Sequence, residues 1–438
     1  LPRPQPVAGP VRPWRRFSLP RVAPNVVFLG LTSLLTDVSS EMVSAVLPMY
    51  LVLFLGLTPL QFGVVDGLYQ GFAALVRVGA GFAADRWRRY KEIAALGYGL
   101  SAVCKLGLLA AGSLWPALAA TVLVDRTGKG IRTAPRDALI SLSSSRAGLA
   151  TAFGVHRAMD TLGAMVGPLV AFVLLSQLPG AFDALFLISF CFALLGLGVL
   201  VLFVEGRRAG GAVRREEHPS LGSVTAALLG APQFRALALA GTVLGLVTIS
   251  DGFLYLGLQR RLAGTPFGGL GFFPLLYVGT SCCYFLLAVP AGRLADRLGR
   301  RWVLLAGYAL LLPVYAGLLL PDEGLPVVAL TLLLFGAYYA ATDGVLMALA
   351  SAVLAPAVRT TGLGFLTTLT TLARLLASVV FGAAWLSWGM EAATVLFGAG
   401  LVLALGLTAF VLGRAGSQGE GGLVGVHAAR PAAREGAL

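Results

Sequence analysis

Apolar runs of about twenty residues recur along this chain, each long enough to cross a hydrocarbon layer as a helix. Twelve such segments can be read, beginning near Asn25, Leu60, Glu92, Trp115, Gly148, Asp183, Phe234, Gly268, Trp302, Leu325, Arg359 and Glu391. Lipid offers no partner to a bare backbone amide, so segments of this kind fold as helices that satisfy their own hydrogen bonds. The expected fold class is an all-α polytopic membrane protein with twelve transmembrane helices. Composition agrees: 57% of the 438 residues are hydrophobic and 12% charged, against about 25% charged in a soluble domain. A large soluble enzyme is excluded.

The net charge of +13 suggests nucleic acid until its residues are mapped. Arg3, Arg12, Arg15, Arg16 and Arg21 precede the first segment. Arg86, Arg88, Arg89 and Lys91 follow the second, Arg207, Arg208, Arg214 and Arg215 the sixth, and Arg293, Arg297, Arg300 and Arg301 the eighth. All fall on one side of the membrane, while the opposite connections hold little beyond Arg260 and Arg261. The positive-inside rule then places both termini in the cytoplasm, with the lipid bilayer as partner and no nucleic acid. No cleavable leader is expected, because the first apolar segment is too long and carries Asp37 and Glu41. Residues 1–24 and 415–438 read as flexible cytoplasmic tails. Cys104, Cys191, Cys282 and Cys283 lie inside predicted helices without metal-ligand spacing, so no metal site, disulfide or cofactor is expected.

The longest polar interruption, 205–232, reads as a linker between six segments in 25–204 and six in 233–414. The halves echo each other. Gly81-Phe-Ala-Ala-Asp85-Arg86 after the second segment returns as Gly292-Arg-Leu-Ala-Asp296-Arg297-Leu-Gly299-Arg300-Arg301 after the eighth.

Charge inside an apolar segment is costly and faces a protein interior or a water-filled path. The fourth segment runs into VDRTGKGIRTAPRD, Val124 to Asp137. Helical spacing puts Asp125, Lys129, Arg132 and Arg136 on one stripe and Arg126, Gly130, Thr133 and Asp137 on the next. Asp125, Arg126 and Lys129 are expected near the midplane. Arg132, Arg136 and Asp137 are expected at the cytoplasmic exit, since Pro135 disfavours a straight helix. On the fifth segment His156 and Asp160 stand one turn apart beside Arg157, as a proton-carrying pair or a salt-bridge network with the fourth helix. Asp37 and Glu41 share a face of the first segment and can hold a proton between them, or pair with Arg126 or Lys129.

Elsewhere Asp66 is expected at the outer boundary and Arg77 snorkelling at the cytoplasmic end. Gly63, Gly67 and Gly71 form a small-residue ridge suited to packing. Lys105 and Asp251 are lone charges on the third and seventh segments; Asp343 and Arg374 pair between the tenth and eleventh, or form a second polar patch. Charge is dense in the first half, so the second is expected to supply apolar and aromatic surface such as Tyr255, Tyr338 and Tyr339. No nucleophile–base or metal constellation marks an enzyme.

Gly292 to Arg301 match the loop signature G-x-L-x-D-R-x-G-R-R/K, and from Asn25 to Arg414 the chain resembles the major facilitator superfamily of secondary transporters. The copy at Gly81 departs at Arg88, where a second glycine is expected. Arg126 and Gly130 resemble the family's fourth-helix R-x-x-x-G element, and Gly163-Ala-Met-Val-Gly167-Pro168 the fifth-helix motif of its antiporters. Leu34 to Met42, the GKGIRTAPRDA run and Val155 to Asp160 resemble a prokaryotic subgroup of unknown substrate. The resemblance implies two six-helix bundles that rock about a cavity lined by the first helix. It implies cytoplasmic latches at Gly81, Asp85, Arg86, Gly292, Asp296, Arg297, Gly299 and Arg300. It also implies efflux of a small-molecule substrate against protons across the inner membrane, by a monomer. Coupling is placed at Asp37, Glu41, Asp125, Arg126, Lys129, His156, Arg157 and Asp160. Three alternatives stay open: an organic-anion or metabolite transporter using Arg126, Lys129 and Lys105; a metal exporter using Asp37, Glu41, His156 and Asp160; and a non-transporting receptor.

Overall fold

A computed structural model of the chain describes residues 23–87, 89–144, 149–206, 228, 230–320, 324–354 and 359–417, with the backbone alone at 78–86, 149–150, 359–360 and 415–417. Every expected segment is helical. In the first half these are α1 Pro24–Phe54, α2 Pro59–Trp87, α3 Tyr90–Ala111, α4 Trp115–Leu142, α5 Leu149–Gln177 and α6 Phe182–Phe203. The second half holds α7 Pro232–Leu262, α8 Pro274–Leu298, α9 Arg300–Leu319 and α10 Leu325–Val353. A final helical run, Arg359–Ser417, is broken at Gly389 (φ 85°) into α11, 359–388, and α12, 390–417. Among the described residues nine helical stretches are long and apolar enough to cross a membrane, α11 and α12 counting as one. The two helices outside that set, α2 and α4, carry much of the intramembrane charge.

An even number of crossings leaves both described chain ends at one end of the bundle, called here the near end. Glycines let the helices approach closely. A Cβ at Gly167 on α5 would lie 2.8 Å from the Val38 carbonyl oxygen of α1. The ridge on α2 packs as expected, and it does so across the halves. A Cβ at Gly63 or Gly67 would lie 2.6 Å from the Ser378 oxygen or 2.8 Å from the Leu375 oxygen of α11. Phe62 meets Phe253, and Phe172 meets Phe272, with ring centroids 4.8 and 5.6 Å apart. These contacts join the halves toward the far end. Toward the near end, a Cβ at Gly154, Gly344 or Gly364 would meet no atom within 4 Å.

The first helix of each half is interrupted beside the interior. The α1 helix turns at Ala45–Val46 and ends in a widened turn in which the Leu55 amide donates to the Tyr50 carbonyl (2.9 Å). The α7 helix loses its helical bonding over 247–250. Backbone groups freed within a membrane must find another partner. Here the Tyr315 hydroxyl of α9 accepts from the Ile249 amide (2.9 Å) and donates to the Val247 carbonyl (3.1 Å).

Removing that hydroxyl strands two buried backbone groups, at a cost of about 1–3 kcal/mol each. Tyr315→Phe is therefore expected to lower the thermal unfolding midpoint of the purified protein in detergent. A variant as stable as the parent would show that the break does not depend on Tyr315.

Candidate functional site

The midplane charge on α4 is consumed locally. Lys105 Nζ of α3 stands 3.1 Å from Asp125 Oδ1, while Arg126 Nε donates to Asp125 Oδ2 at 3.0 Å and Arg126 Nη2 donates to the same oxygen. All three side chains are buried. The guanidinium of Arg126 also lies over the Tyr69 ring of α2, 3.8 Å from its centroid. One carboxylate thus answers two cations, and an aromatic face supports the second.

Toward the near end a vestibule of about 680 Å³ opens in the first half. Arg132 Nη2 approaches Asp37 Oδ1 at 3.8 Å, and its guanidinium lies 4.7 Å from the Tyr98 ring centroid. Arg136 donates twice to Asp137 Oδ1 at 3.0 Å and reaches Asp160 at 3.8 Å. The carboxyl groups of Asp37 on α1 and Asp160 on α5 lie within hydrogen-bonding reach of each other. His156 Nε2 and Ser33 Oγ are hydrogen-bonded at 2.9 Å.

Between the halves lies a second, central chamber of about 400 Å³. Its walls include Glu41, Asp66, Asp251, Asp343 and Lys129, together with Tyr69, Tyr255, Tyr277, Tyr284 and Tyr339. Asp66 accepts from Gln70 Nε2 (2.8 Å) on its own helix and from Ser378 Oγ (2.7 Å) across the seam. Tyr339 donates to Asp251 at 2.5 Å, and Ser44 donates to Glu41 at 2.6 Å. Glu41 and Lys129 line both the chamber and the vestibule.

Several expectations are corrected. The α4 helix runs on through Pro135 to Leu142, so Arg132 and Arg136 face the vestibule instead of leaving at its exit. Asp66 is not at a boundary but buried where the halves meet. Of the two alternatives for the fifth helix, the salt-bridge network with α4 is the one seen: Arg136 and Arg157 take the Asp160 carboxylate, while Ser33 takes the His156 ring. Asp125 and Arg126 join α3 instead of α1 and α5. Arg374 bonds the Tyr338 hydroxyl (2.9 Å) and not Asp343. Arg77 is exposed and lines the vestibule mouth. Asp37, Glu41, His156 and Asp160 do not form a metal-holding group among the described residues. The Lys105–Asp125 and Asp66–Ser378 contacts were missed. Each charge was visible alone, but no periodicity reveals a partner on another helix.

The loop motif after α8 turns at Gly299, whose φ of 95° favours glycine. There Arg300 donates to Asp296 Oδ1 (3.1 Å) and to the Ala348 carbonyl of α10 (3.2 Å). The helix α2 carries the earlier copy, with Gly81, Asp85 and Arg86 in helical backbone; their side chains, and Arg88, lie outside the described residues.

Two helical halves around a shared polar chamber define a membrane transporter, not an enzyme. The chain belongs to the Major Facilitator Superfamily, whose family model matches residues 29–280 and 263–430. An uncharacterised MFS-type transporter of Methanocaldococcus jannaschii is 32% identical over 367 residues, 82% of this chain and 88% of that protein. An uncharacterised protein of Mycobacterium tuberculosis is 39% identical over 144 residues, 33% of this chain and 35% of its own length. In fold the chain is similar to the nucleoside transporter NupG, with a TM-score of 0.74 and 14% identity over 88% of this chain and 98% of that one. It is likewise similar to a bacterial homologue of the human lysosomal transporter Spinster in an inward-facing, unoccupied conformation, with a TM-score of 0.64 and 16% identity over 90% and 95%.

Breaking a buried ion pair from one side leaves an uncompensated charge and costs about 3–5 kcal/mol. Asp125→Asn strands two cations and is expected to abolish folded, monodisperse protein. Lys105→Met leaves Asp125 paired with Arg126 and should remain folded. Equal losses in size-exclusion profiles of the two variants would contradict this reading of the cluster.

Proposed function

We propose that this transporter exports a small molecule in exchange for protons, with the coupling proton held at the Asp37–Asp160 pair. The observation that carries this reading is the approach of the two carboxyl groups across α1 and α5. Two carboxylates at hydrogen-bonding range share a proton or repel. Arg132 and Arg136 stand on their flanks at 3.8 Å, ready to take the charge when the proton leaves. Loss of that proton changes which groups bind α1 to α4 and α5, a local event able to bias rocking of the halves.

Export is favoured by the resemblance of Gly163 to Pro168 to the antiporter motif, and the close approach of Gly167 to α1 puts that motif on the helix that carries Asp37. The basic residues of the near-end loops support cytoplasmic termini in a cell membrane. In that orientation the chamber's closure at the far end corresponds to an inward-facing state. We take 25–204 and 233–414 as the moving units, 205–232 as their cytoplasmic linker, and the monomer as sufficient. Asp296 and Arg300 are assigned to the latch, by their tie to α10.

A second reading, transport of an organic anion, has one observation in its favour. Arg132 Nη1 is buried without a hydrogen-bond partner among the described residues, in the wall of the vestibule. Against it, Lys105 and Arg126 are engaged by Asp125 and line neither the chamber nor the vestibule.

The test is proton flux in proteoliposomes loaded with a pH-sensitive dye. A substrate gradient should drive proton movement through the wild-type chain. Asp37→Asn and Asp160→Asn should each abolish it while the protein keeps its folded profile. Full coupling in both variants would sink the assignment, and no flux with any solute would point to a receptor.

A further inference from the structure

The central chamber has a charge problem that the transport reading leaves unsolved. Four carboxylates, Glu41, Asp66, Asp251 and Asp343, share its walls with one lysine, Lys129. Lys129 and Glu41 stand together on the vestibule side. Asp66, Asp251 and Asp343 are left without a cation of their own in the chamber wall. Asp66 belongs to the first half and Asp251 to the second, and the two are electrostatic neighbours across the chamber. Arg374 stands behind Asp251, but it does not line the chamber, and its guanidinium donates to Tyr338.

A further observation points to a ligand. The remaining wall is aromatic: Tyr255 and Tyr277 pack at a tilt of 52° with centroids 4.2 Å apart, and Tyr339 adds a third ring. Rings of this kind attract a cation to their faces and accept an apolar body.

We propose that the central chamber binds an organic cation, its positive group between Asp66 and Asp251 and its apolar body against Tyr255, Tyr277 and Tyr339. A cation placed there satisfies carboxylates from both halves at once. The volume of about 400 Å³ suits a metabolite- or drug-sized molecule, since such sites run from about 300 to 1,000 Å³. A bare metal ion fits poorly, because the described residues hold no cluster of three metal-ligating side chains. The assignment rests on the transporter reading, but binding requires no gradient and is tested apart from coupling.

The probe is radiolabelled tetraphenylphosphonium, bound to the purified full chain in detergent by equilibrium dialysis. Ethidium serves as competing cation and tetraphenylborate as an anion of the same shape. Tetraphenylphosphonium should bind saturably, be displaced by ethidium and resist tetraphenylborate. Asp251→Asn and Asp66→Asn should each weaken binding roughly tenfold or more, the scale of one charge-assisted contact. Asp183→Asn, remote from the chamber, should leave it unchanged. Asp66 also bridges the halves, so Asp343→Asn guards against loss of folding; its carboxylate makes no hydrogen bond or ion pair among the described residues, and it should weaken binding in a folded protein. Failure of both cations to bind, tighter binding of tetraphenylborate, or cation binding indifferent to all three chamber variants would each overturn the proposal. Carboxylate-dependent binding without proton exchange in liposomes would leave the ligand class standing and remove the coupling mechanism instead.

Discussion

Asp125 sits out of reach of water between a lysine from α3 and the arginine that follows it on α4. Three charges placed this way are costly to desolvate and costly to separate, so they fix their helices with little tolerance. The contact exists because the backbones come close enough. A Cβ at Gly97 would lie 2.7 Å from the Gly128 carbonyl oxygen, and Ser101 donates to the Asp125 carbonyl at 3.2 Å. Once Asp125 and Arg126 are pinned, the helical repeat decides the rest of α4. Lys129, Arg132 and Arg136 follow at successive turns and face the vestibule. Through the Arg126–Tyr69 stack the cluster also holds a residue of the chamber wall. The buried charges therefore set the geometry around both cavities without lining either of them together.

Much of the architecture was legible because lipid imposes a simple rule on each helix separately. Length and hydropathy placed every helix start near its observed position, and the Gly63–Gly71 ridge was identified as packing. Gly299, the second glycine of the loop signature, adopts a positive φ. What failed was pairing and depth. Pro135 was read as an exit, yet a proline within a helix surrounded by other helices removes one bond without ending the rod. Asp66 looked peripheral because its position along α2 was known and its neighbour on α11, 312 residues later, was not. His156 and Asp160 share a face, and the spacing left a proton-carrying pair and a network with α4 equally open; Arg136 on α4 approaches the carboxylate.

The two cavities differ less in size than in how their charges are balanced. In the vestibule arginines and aspartates largely pair with one another, Arg132 with Asp37 and Arg136 with Asp137 and Asp160. Paired charges produce a field that falls off quickly, so a charged solute crossing this mouth meets only a small barrier. In the chamber the carboxylates are held by neutral donors, by Gln70 and Ser378 at Asp66, by Tyr339 at Asp251 and by Ser44 at Glu41. Neutral donors orient a carboxylate without cancelling its charge.

That contrast suggests why the two cavities share a wall. Glu41 and Lys129 face both spaces, so a change of charge in the vestibule is felt at the chamber through the same two side chains. Under the proposed reading, the proton at Asp37 and Asp160 and the cation between Asp66 and Asp251 need not compete for one site. Each changes the electrostatic environment of Lys129 from its own side, as two ligands coupled through an element that both bias. The interruptions in α1 and α7 lie next to this wall, at Ala45–Val46 and 247–250, and there the backbone is already freed from regular helical bonding. Pro48, just beyond the first, would touch a Cβ added at Gly252, just beyond the second. The segments that join the halves are thus the ones least bound to their own helices, a placement that lets rearranged side-chain charge become movement of one half against the other.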